Sequence, residues 1–178
     1  MPRAITNALS LGLDIYNCFI LLIMILALLK DSSANKKNRS FLWACISIFI
    51  FNYTDMATWF AEGTAHAWYK PYLRISTFIF YLDTPFIFYF LLKYIQEYLR
   101  PRKLHPAFFK ISGIVSVLYI LCVIATPFTG LYYYYTPDNH YVRGEYNFIS
   151  VIFDIIVYSI AVICIIAYRK SFKRNTLV

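Results

Sequence analysis

Four aspartates interrupt long apolar stretches of this sequence, where an acidic side chain is rare. They are Asp14, Asp55, Asp83 and Asp154, and each lies in a different stretch. A carboxylate at membrane depth has no lipid group to solvate it, so it must face a protein partner, water or a ligand. Clustered carboxylates also repel one another unless a cation, a proton or an arginine balances them. The four acids are therefore the first candidates for a binding site.

Helical spacing places other polar and aromatic residues on the same faces as these acids. Asp55 shares a face with Trp59 and Glu62, which follow at steps of four and three residues. Counted at about 1.5 Å per residue from one end of the stretches, the acids lie roughly 8 to 17 Å deep, so we expect them to converge on one cavity. The predicted ligand-binding residues are four acids, three aromatic residues that would form the walls, and one cation that would cover the site. They are Asp14, Asp55, Asp83, Asp154, Trp59, Tyr81, Tyr158 and Arg143.

Such a site suits a small cationic or polyol ligand, because carboxylates bind ammonium or hydroxyl groups and aromatic rings supply π-faces. Hard divalent cations are a second possibility. Two other interpretations remain open. Each aspartate could be an interhelical hydrogen-bond acceptor that serves packing alone. The acids could instead alternate between protonated and charged forms in a small proton- or ion-coupled transporter.

Five apolar stretches, each close to the roughly 20 residues that cross a bilayer, account for most of the chain. Of its 178 residues 60% are hydrophobic and only 15% are charged, which is too apolar for a soluble domain. The stretches fall at about residues 9–29, 41–61, 72–97, 109–129 and 147–168. The sequence therefore predicts an all-α polytopic membrane protein of about five transmembrane helices, with residues 1–178 forming a single module in contact with the lipid bilayer.

Basic residues are concentrated on one side of the predicted bundle. The loop at residues 30–39 is polar and basic, and membranes keep such loops in the cytoplasm. This orientation places thirteen of the 17 Lys and Arg residues at cytoplasmic ends. The four on the other side are Arg3, Lys70, Arg74 and Arg143. We expect a multi-pass protein of the cell membrane with an extracellular N-terminus and a cytoplasmic C-terminus.

Several function classes are disfavoured by the same patterns. The net charge of +8 does not indicate nucleic-acid binding, because the basic residues lie at helix ends and no zinc-finger, KH or RNP spacing occurs. The cysteines lie in apolar stretches without a CxxC pair, so we interpret them as small hydrophobic residues and predict no metal and no cofactor. No His-Glu metal motif or serine-histidine pair occurs within the helices, so we do not expect an enzyme.

The loop between the fourth and fifth stretches has strand and turn signals of its own. Tyrosines fill residues 132–135, and residues 141–143 are Tyr, Val and Arg, all compatible with short strands. Between them, Pro137 suits the first central position of a tight turn, and Asp138 and Asn139 suit the positions that follow. We predict an extracellular β-hairpin at about residues 131–143, placed so that it covers the outer end of the bundle.

This loop also carries a resemblance to a known class of proteins. The segments concerned are Thr126-Pro-Phe-Thr-Gly130, Thr136-Pro-Asp-Asn139, Tyr141-Val-Arg-Gly144 and Tyr146-Asn-Phe-Ile-Ser150. They resemble the N-terminal membrane sensor regions of bacterial diguanylate cyclases and sensor histidine kinases, in which a similar segment joins two helices. Where that family often has proline after Arg-Gly, this chain has Glu145.

The resemblance implies a role in signal transduction, as in two-component systems, and a homodimer. It implies no catalysis within these residues, because no GGDEF-type loop, histidine phosphoacceptor box or ATP-binding glycine motif occurs. We therefore expect a receptor or sensor module that binds a small extracellular ligand and passes the signal to a cytoplasmic output domain or partner. The small transporter is the alternative.

Overall fold

The computed structural model describes residues 3–31, 36–64, 66–99 and 104–175. It contains five long helices and one two-stranded hairpin between the fourth and fifth helices. Their bounds are α1 Arg3–Asp31, α2 Lys36–Ala61, α3 Tyr69–Tyr98, α4 Pro106–Thr129, β1 Tyr133–Tyr135, β2 Tyr141–Arg143 and α5 Phe148–Asn175. The predicted number of helices and the predicted hairpin are both confirmed.

Each helix is long enough and apolar enough to cross a membrane, so the protein is a multi-pass membrane protein. The helices extend past the predicted stretches at several ends, most clearly at α5, which continues to Asn175 although its apolar span ends at Tyr168. The reason is that Arg and Lys are good helix formers, and a helix does not stop where hydropathy falls. Large apolar side chains on the outer faces, such as Leu118 and Ile155, are exposed for contact with lipid.

The helices pack in an order that makes α3 the centre of the bundle. Helix α1 packs on α2, and α2 packs on α3, which also contacts α4 and α5. The α2–α3 interface is built from aromatic pairs, including Phe51 stacked on Phe80 at 4.3 Å and Trp43 stacked on Phe90 at 6.0 Å. Within the described parts of α2 and α5, those two helices do not pack on each other. A gap therefore lies between them.

The buried core lies among α3, α4, α5 and the hairpin. Tyr119 of α4 stacks on Phe153 of α5 with ring centroids 4.1 Å apart, and its ring also lies against Tyr132. Tyr81 of α3 stacks on Tyr132 and Tyr133. Apart from the exposed Tyr134, the hairpin tyrosines thus belong to the core or pack against it, because their rings continue the apolar interior of the bundle past the helix ends.

The hairpin has the turn that its residues predict. Tyr133, Tyr134 and Tyr135 pair with Arg143, Val142 and Tyr141 in an antiparallel register. The Asn139 N–H donates to the Thr136 carbonyl at 3.0 Å, and Asn139 has φ 64°. A tight turn followed by a left-handed residue is the usual three-residue hairpin connection, and asparagine tolerates that conformation better than most residues.

The hairpin is fixed onto the end of the bundle by main-chain and side-chain contacts. Asn139 is only 3% exposed, and its Nδ2 donates to the carbonyls of Ala61 at 3.0 Å and Thr64 at 3.4 Å. The Gly63 N–H donates in return to the Asn139 carbonyl at 3.0 Å. These bonds satisfy carbonyl groups at the end of α2 that the helix itself leaves free. The turn is therefore the cap of α2 as well as the tip of the hairpin.

Candidate functional site

A cavity of about 490 Å³ lies in the gap between α2 and α5. Helix α3 forms its back wall, and strand β2 of the hairpin covers the end at which α2 terminates. The wall combines acidic, aromatic and hydroxyl side chains on five elements. The lining residues are Phe51, Asp55, Thr58, Trp59, Glu62, Thr77, Phe80, Tyr81, Thr84, Tyr119, Tyr141, Arg143, Asn147, Ser150, Val151 and Asp154.

Two intramembrane carboxylates enter the cavity from different helices. Asp55 lies six residues before the end of α2 at Ala61, and Asp154 lies six residues after the start of α5 at Phe148. At 1.5 Å per residue, both are about 9 Å from the hairpin end of their helices. Oδ1 of Asp154 is buried and makes no hydrogen bond within the described residues. The cavity thus has an acidic group on each of two facing helices at the same depth.

Asp55 has two neighbours that make it the most connected of the intramembrane acids. Trp59 lies near its carboxyl group, one turn further along the same helix, and the indole N–H makes no hydrogen bond within the described residues. It also lies close to the carboxyl group of Asp14 on α1. Two carboxyl groups can share a hydrogen bond only when a proton is held between them. Asp55 therefore joins the cavity to the α1–α2 interface.

A network of hydroxyl and amide groups closes the hairpin side of the cavity. Nδ2 of Asn147 donates to the Tyr132 carbonyl at 3.1 Å and to the Tyr81 hydroxyl at 2.8 Å. The carbonyl partner fixes the amide orientation, so the Tyr81 oxygen is an acceptor there and its proton is free to be donated. The Tyr81 and Tyr141 hydroxyls are 2.7 Å apart, and we assign Tyr81 as the donor.

The charge along the cavity changes sign at the hairpin. Arg143, at the end of β2, is exposed and lines the cavity, whereas Asp55, Asp154 and Glu62 supply the acidic groups below and beside it. Glu62 also lies 3.9 Å from Nδ1 of His140 in the turn. Tyr141 lies beside Arg143 on the strand, and burial raises the pKa of its hydroxyl. The cavity is therefore acidic inside, with a cationic group at its cover.

The structure brings five of the eight predicted site residues to this cavity and leaves three outside it. Among the described residues, the wall includes Asp55, Asp154, Trp59, Tyr81 and Arg143. Asp14 lies instead on α1 against α2, and Tyr158 is exposed on the surface of α5. Asp83 is buried elsewhere. Of the four carboxylates expected to share one cavity, Asp55 and Asp154 line this one.

Asp83 is separated from the cavity by the rotation of helix α3. It follows Tyr81 by two residues, which turns it by about 200° around the axis. It shares a face with Phe90 and Tyr94, whose rings pack against rings of α2, so it lies in the α2–α3 interface. Asp83 is 8% exposed, and its Oδ2 makes no hydrogen bond within the described residues. The periodicity of α3 would have shown that Tyr81 and Asp83 cannot face the same space.

Eleven of the sixteen lining residues were not among the predicted site residues, including Asn147, Tyr141 and Tyr119. Asn147 immediately precedes α5, Tyr141 lies on the hairpin and Tyr119 lies on α4. Asn147 shares a helical face with Asp154, which is a signal that the sequence did carry. Tyr141 shares a face of its strand with the predicted Arg143, whereas nothing in the sequence around Tyr119 distinguishes it from the other tyrosines. Comparisons with protein-family models, with curated proteins and with solved structures found no match to this chain.

Proposed function

We propose that the protein is a membrane receptor or sensor module that binds a small ligand in the cavity between α2 and α5. The observation that carries this proposal is the pair of carboxylates, Asp55 and Asp154, placed at equal depth on two helices that do not pack on each other. A ligand that contacts both would set the spacing of the two helices. It would drive a switch by its difference in affinity for the two spacings.

The proposed ligand is small and either cationic or rich in hydroxyl groups. A volume of about 490 Å³ is within the range of small-molecule sites. The carboxylates would bind ammonium or hydroxyl groups, while Trp59 and Tyr81 offer aromatic surface to an organic cation. Arg143 would lie near any anionic group of the same molecule. We assign no catalytic step to any residue of this wall. The proposal is therefore a binding module and not an enzyme.

The bias of basic residues towards the other end of the bundle supports an extracellular position for the hairpin end. In this orientation the ligand enters from outside, and α5 connects the cavity wall to the cytoplasmic C-terminus. A change in the position of α5 would reach a cytoplasmic output domain or partner, as in the histidine kinases and diguanylate cyclases that the sequence resembles. Signalling of this kind usually involves a homodimer.

A ligand screen with charge-neutralised variants tests the proposal. Purified full chain is heated with choline, sorbitol or magnesium chloride, which represent an organic cation, a polyol and a divalent ion. We expect at least one to raise the melting temperature, and Asp55→Asn and Asp154→Asn each to weaken that ligand about tenfold or more.

Glu145→Gln is the matched control, because Glu145 is an exposed acid next to the hairpin and does not line the cavity. It should leave the affinity unchanged. Equal affinities in the parent protein and in both aspartate variants would refute the binding site, as would the absence of stabilisation by all three probes.

The contact between Asp14 and Asp55 gives specific support to a second candidate, a small proton- or ion-coupled transporter. A proton held between two carboxyl groups, one of which faces the cavity, is the kind of group that carriers use to couple substrate movement. Flux measurements in liposomes separate the two functions. Uptake of the stabilising ligand that depends on Asp14 and on a pH gradient would favour the carrier, and binding without uptake would favour the receptor.

A further inference from the structure

A second cavity, of about 320 Å³, lies on the other side of the hairpin, between α3 and α4. It is lined by Arg74 of α3, by Thr126, Pro127 and Gly130 at the end of α4, and by Tyr133, Tyr134 and Tyr135 of strand β1. None of these residues lines the cavity between α2 and α5. The two cavities are therefore separate sites, divided by the rings of the hairpin tyrosines.

The second cavity contains hydrogen-bond donors that lack an acceptor. Tyr133 is only 2% exposed, and its hydroxyl makes no hydrogen bond within the described residues. A buried hydroxyl without a partner is unfavourable, so an acceptor from outside the chain would stabilise it. Arg74 forms no ion pair with a described acidic residue, and its guanidinium lies over the Tyr135 ring at 5.8 Å. The cavity thus offers a cation and an uncharged donor, with no acidic group in its wall.

Tyr135 contributes an aromatic ring to this cavity, beneath the Arg74 guanidinium. Its hydroxyl lies near Thr77, a residue of the other cavity, and makes no hydrogen bond within the described residues. The aromatic face of Tyr135 holds the Arg74 guanidinium in place without neutralising it, because a cation–π contact leaves the N–H donors at the edge of the group available. Arg74 is therefore positioned to donate to an anion.

The level of the cavity is that of the lipid headgroups. Arg74 lies five residues after the start of α3, and Thr126 lies three residues before the end of α4, so both are within about 8 Å of the helix ends. Phe128 is 87% exposed, Tyr134 is 51% exposed and Trp68 is 75% exposed around the same end. Exposed aromatic rings of this kind mark the boundary between hydrocarbon and headgroups.

We propose that this second cavity binds the phosphate group of a membrane phospholipid, held by the Arg74 guanidinium and the Tyr133 hydroxyl. Arginine is suited to phosphate because its planar fork donates two parallel hydrogen bonds. The exposed Phe128 and Tyr134 rings lie beside the acyl chains of such a lipid. A free phosphate or phosphate ester offers the same chemistry, so the source of the phosphate is decided by experiment. This site does not depend on the function proposed for the cavity between α2 and α5.

Lipid binding to the purified full chain in mild detergent tests the proposal by native mass spectrometry and by melting temperature. The probe is phosphatidylglycerol, with diacylglycerol as the partner that lacks the phosphate. We expect phosphatidylglycerol to bind the parent protein more tightly than diacylglycerol does. Arg74→Gln should weaken phosphatidylglycerol about tenfold, and Tyr133→Phe should weaken it severalfold.

Lys70→Gln is the matched control. Lys70 is a cation at the same end of α3, it donates to the Pro137 carbonyl at 3.2 Å, and it does not line the second cavity. Its replacement should leave the lipid affinity unchanged. Loss of affinity that is equal in Lys70→Gln and Arg74→Gln would overturn the site in favour of general surface charge.

Two further arms decide the remaining outcomes. In the first, glycerol phosphate or inorganic phosphate is added at the same concentration as phosphatidylglycerol. Competition by either compound would show that the ligand is a soluble phosphate and not a lipid. Equal binding of phosphatidylglycerol and diacylglycerol, or unchanged affinity in both Arg74→Gln and Tyr133→Phe, would overturn the phosphate site altogether. Tyr133→Phe removes only one hydroxyl, so it keeps the test valid if Arg74→Gln does not fold.

Discussion

The side-chain amide of Asn139 donates a hydrogen bond of 3.0 Å to the main-chain carbonyl of Ala61, the last residue of α2. These residues are 78 positions apart, and they join the turn of the hairpin to a helix that is not adjacent to it in sequence. The same hairpin carries Tyr141 and Arg143 over the cavity between α2 and α5. The attachment at Ala61 therefore holds the cover of the candidate site in place.

Replacement of Asn139 by alanine should loosen this attachment. The variant loses both side-chain hydrogen bonds to α2, and alanine disfavours the positive φ of this position, so we expect a loss of about 1–3 kcal/mol in the free energy of unfolding. Denaturant titration in detergent measures it. Asn139→Gly keeps the backbone conformation and isolates the side-chain contribution. The control is Asp138→Ala, because Asp138 is the exposed neighbour of Asn139. An equal loss of unfolding free energy in this variant would contradict the role given to Asn139.

Gly144 should tolerate no side chain. A Cβ at this position would overlap the Gly130 carbonyl oxygen and approach the Leu131 oxygen to 2.5 Å, and both atoms belong to main chain that cannot move aside freely. Gly144→Ala should therefore lower the melting temperature clearly or prevent folding. Gly113→Ala is the matched change, because a Cβ there meets nothing within 4 Å. Similar melting temperatures for the two variants would argue against the close approach of the hairpin ends.

Tyr81 and Tyr141 should be energetically coupled. Because Tyr81 accepts from Asn147 and donates to Tyr141, Tyr81→Phe breaks two hydrogen bonds and Tyr141→Phe breaks one. We expect losses of about 1–2 kcal/mol for the first variant and about 1 kcal/mol for the second. A double-mutant cycle measures the coupling. Strictly additive losses would mean that the two hydroxyls make no shared contribution to stability.

The hairpin should lose stability at alkaline pH. Burial raises the pKa of Tyr135 to about 12, against smaller opposing effects of Thr77 and Arg74. Because the pKa is higher in the folded state than in the unfolded chain, the contribution of the neutral hydroxyl is complete below about pH 10 and is lost as pH rises through about 12. Melting temperatures measured across this range should fall, and the fall should be shallower in Tyr135→Phe. Tyr134→Phe, an exposed ring on the same strand, should keep the steeper fall.

Asp83 should be dispensable for binding in the cavity between α2 and α5. It lies in the α2–α3 interface and does not line that cavity, so Asp83→Asn should leave the ligand affinity within about twofold of the parent value. Asp55→Asn should weaken the same ligand about tenfold. The two affinities are compared by measuring the melting temperature of each variant at increasing concentrations of the stabilising ligand. A larger loss in Asp83→Asn than in Asp55→Asn would place the ligand on the other face of α3.

Helical periodicity predicts which residues of one helix share a face, and it predicts much of the candidate site in this way. The steps from Asp55 to Trp59 and Glu62 put these side chains on one face of α2, and all three line the cavity. Periodicity does not say which neighbour a face meets. Asp14 and Asp83 are intramembrane acids in the sequence, yet they lie in helix interfaces outside the cavity. Which acids share a space depends on the packing order of the helices.

The sequence by itself determined the membrane class, the five helices and the hairpin. A segment in lipid must satisfy its own backbone hydrogen bonds, so about 20 apolar residues suffice to specify a spanning helix. The turn at Pro137, Asp138 and Asn139 is equally local. Only the tertiary structure decided that α2 and α5 stay apart, that Asn139 caps α2, and that Arg74 and Tyr133 line the same second cavity. These contacts join residues far apart in the chain, and their geometry arises from the packing of whole helices.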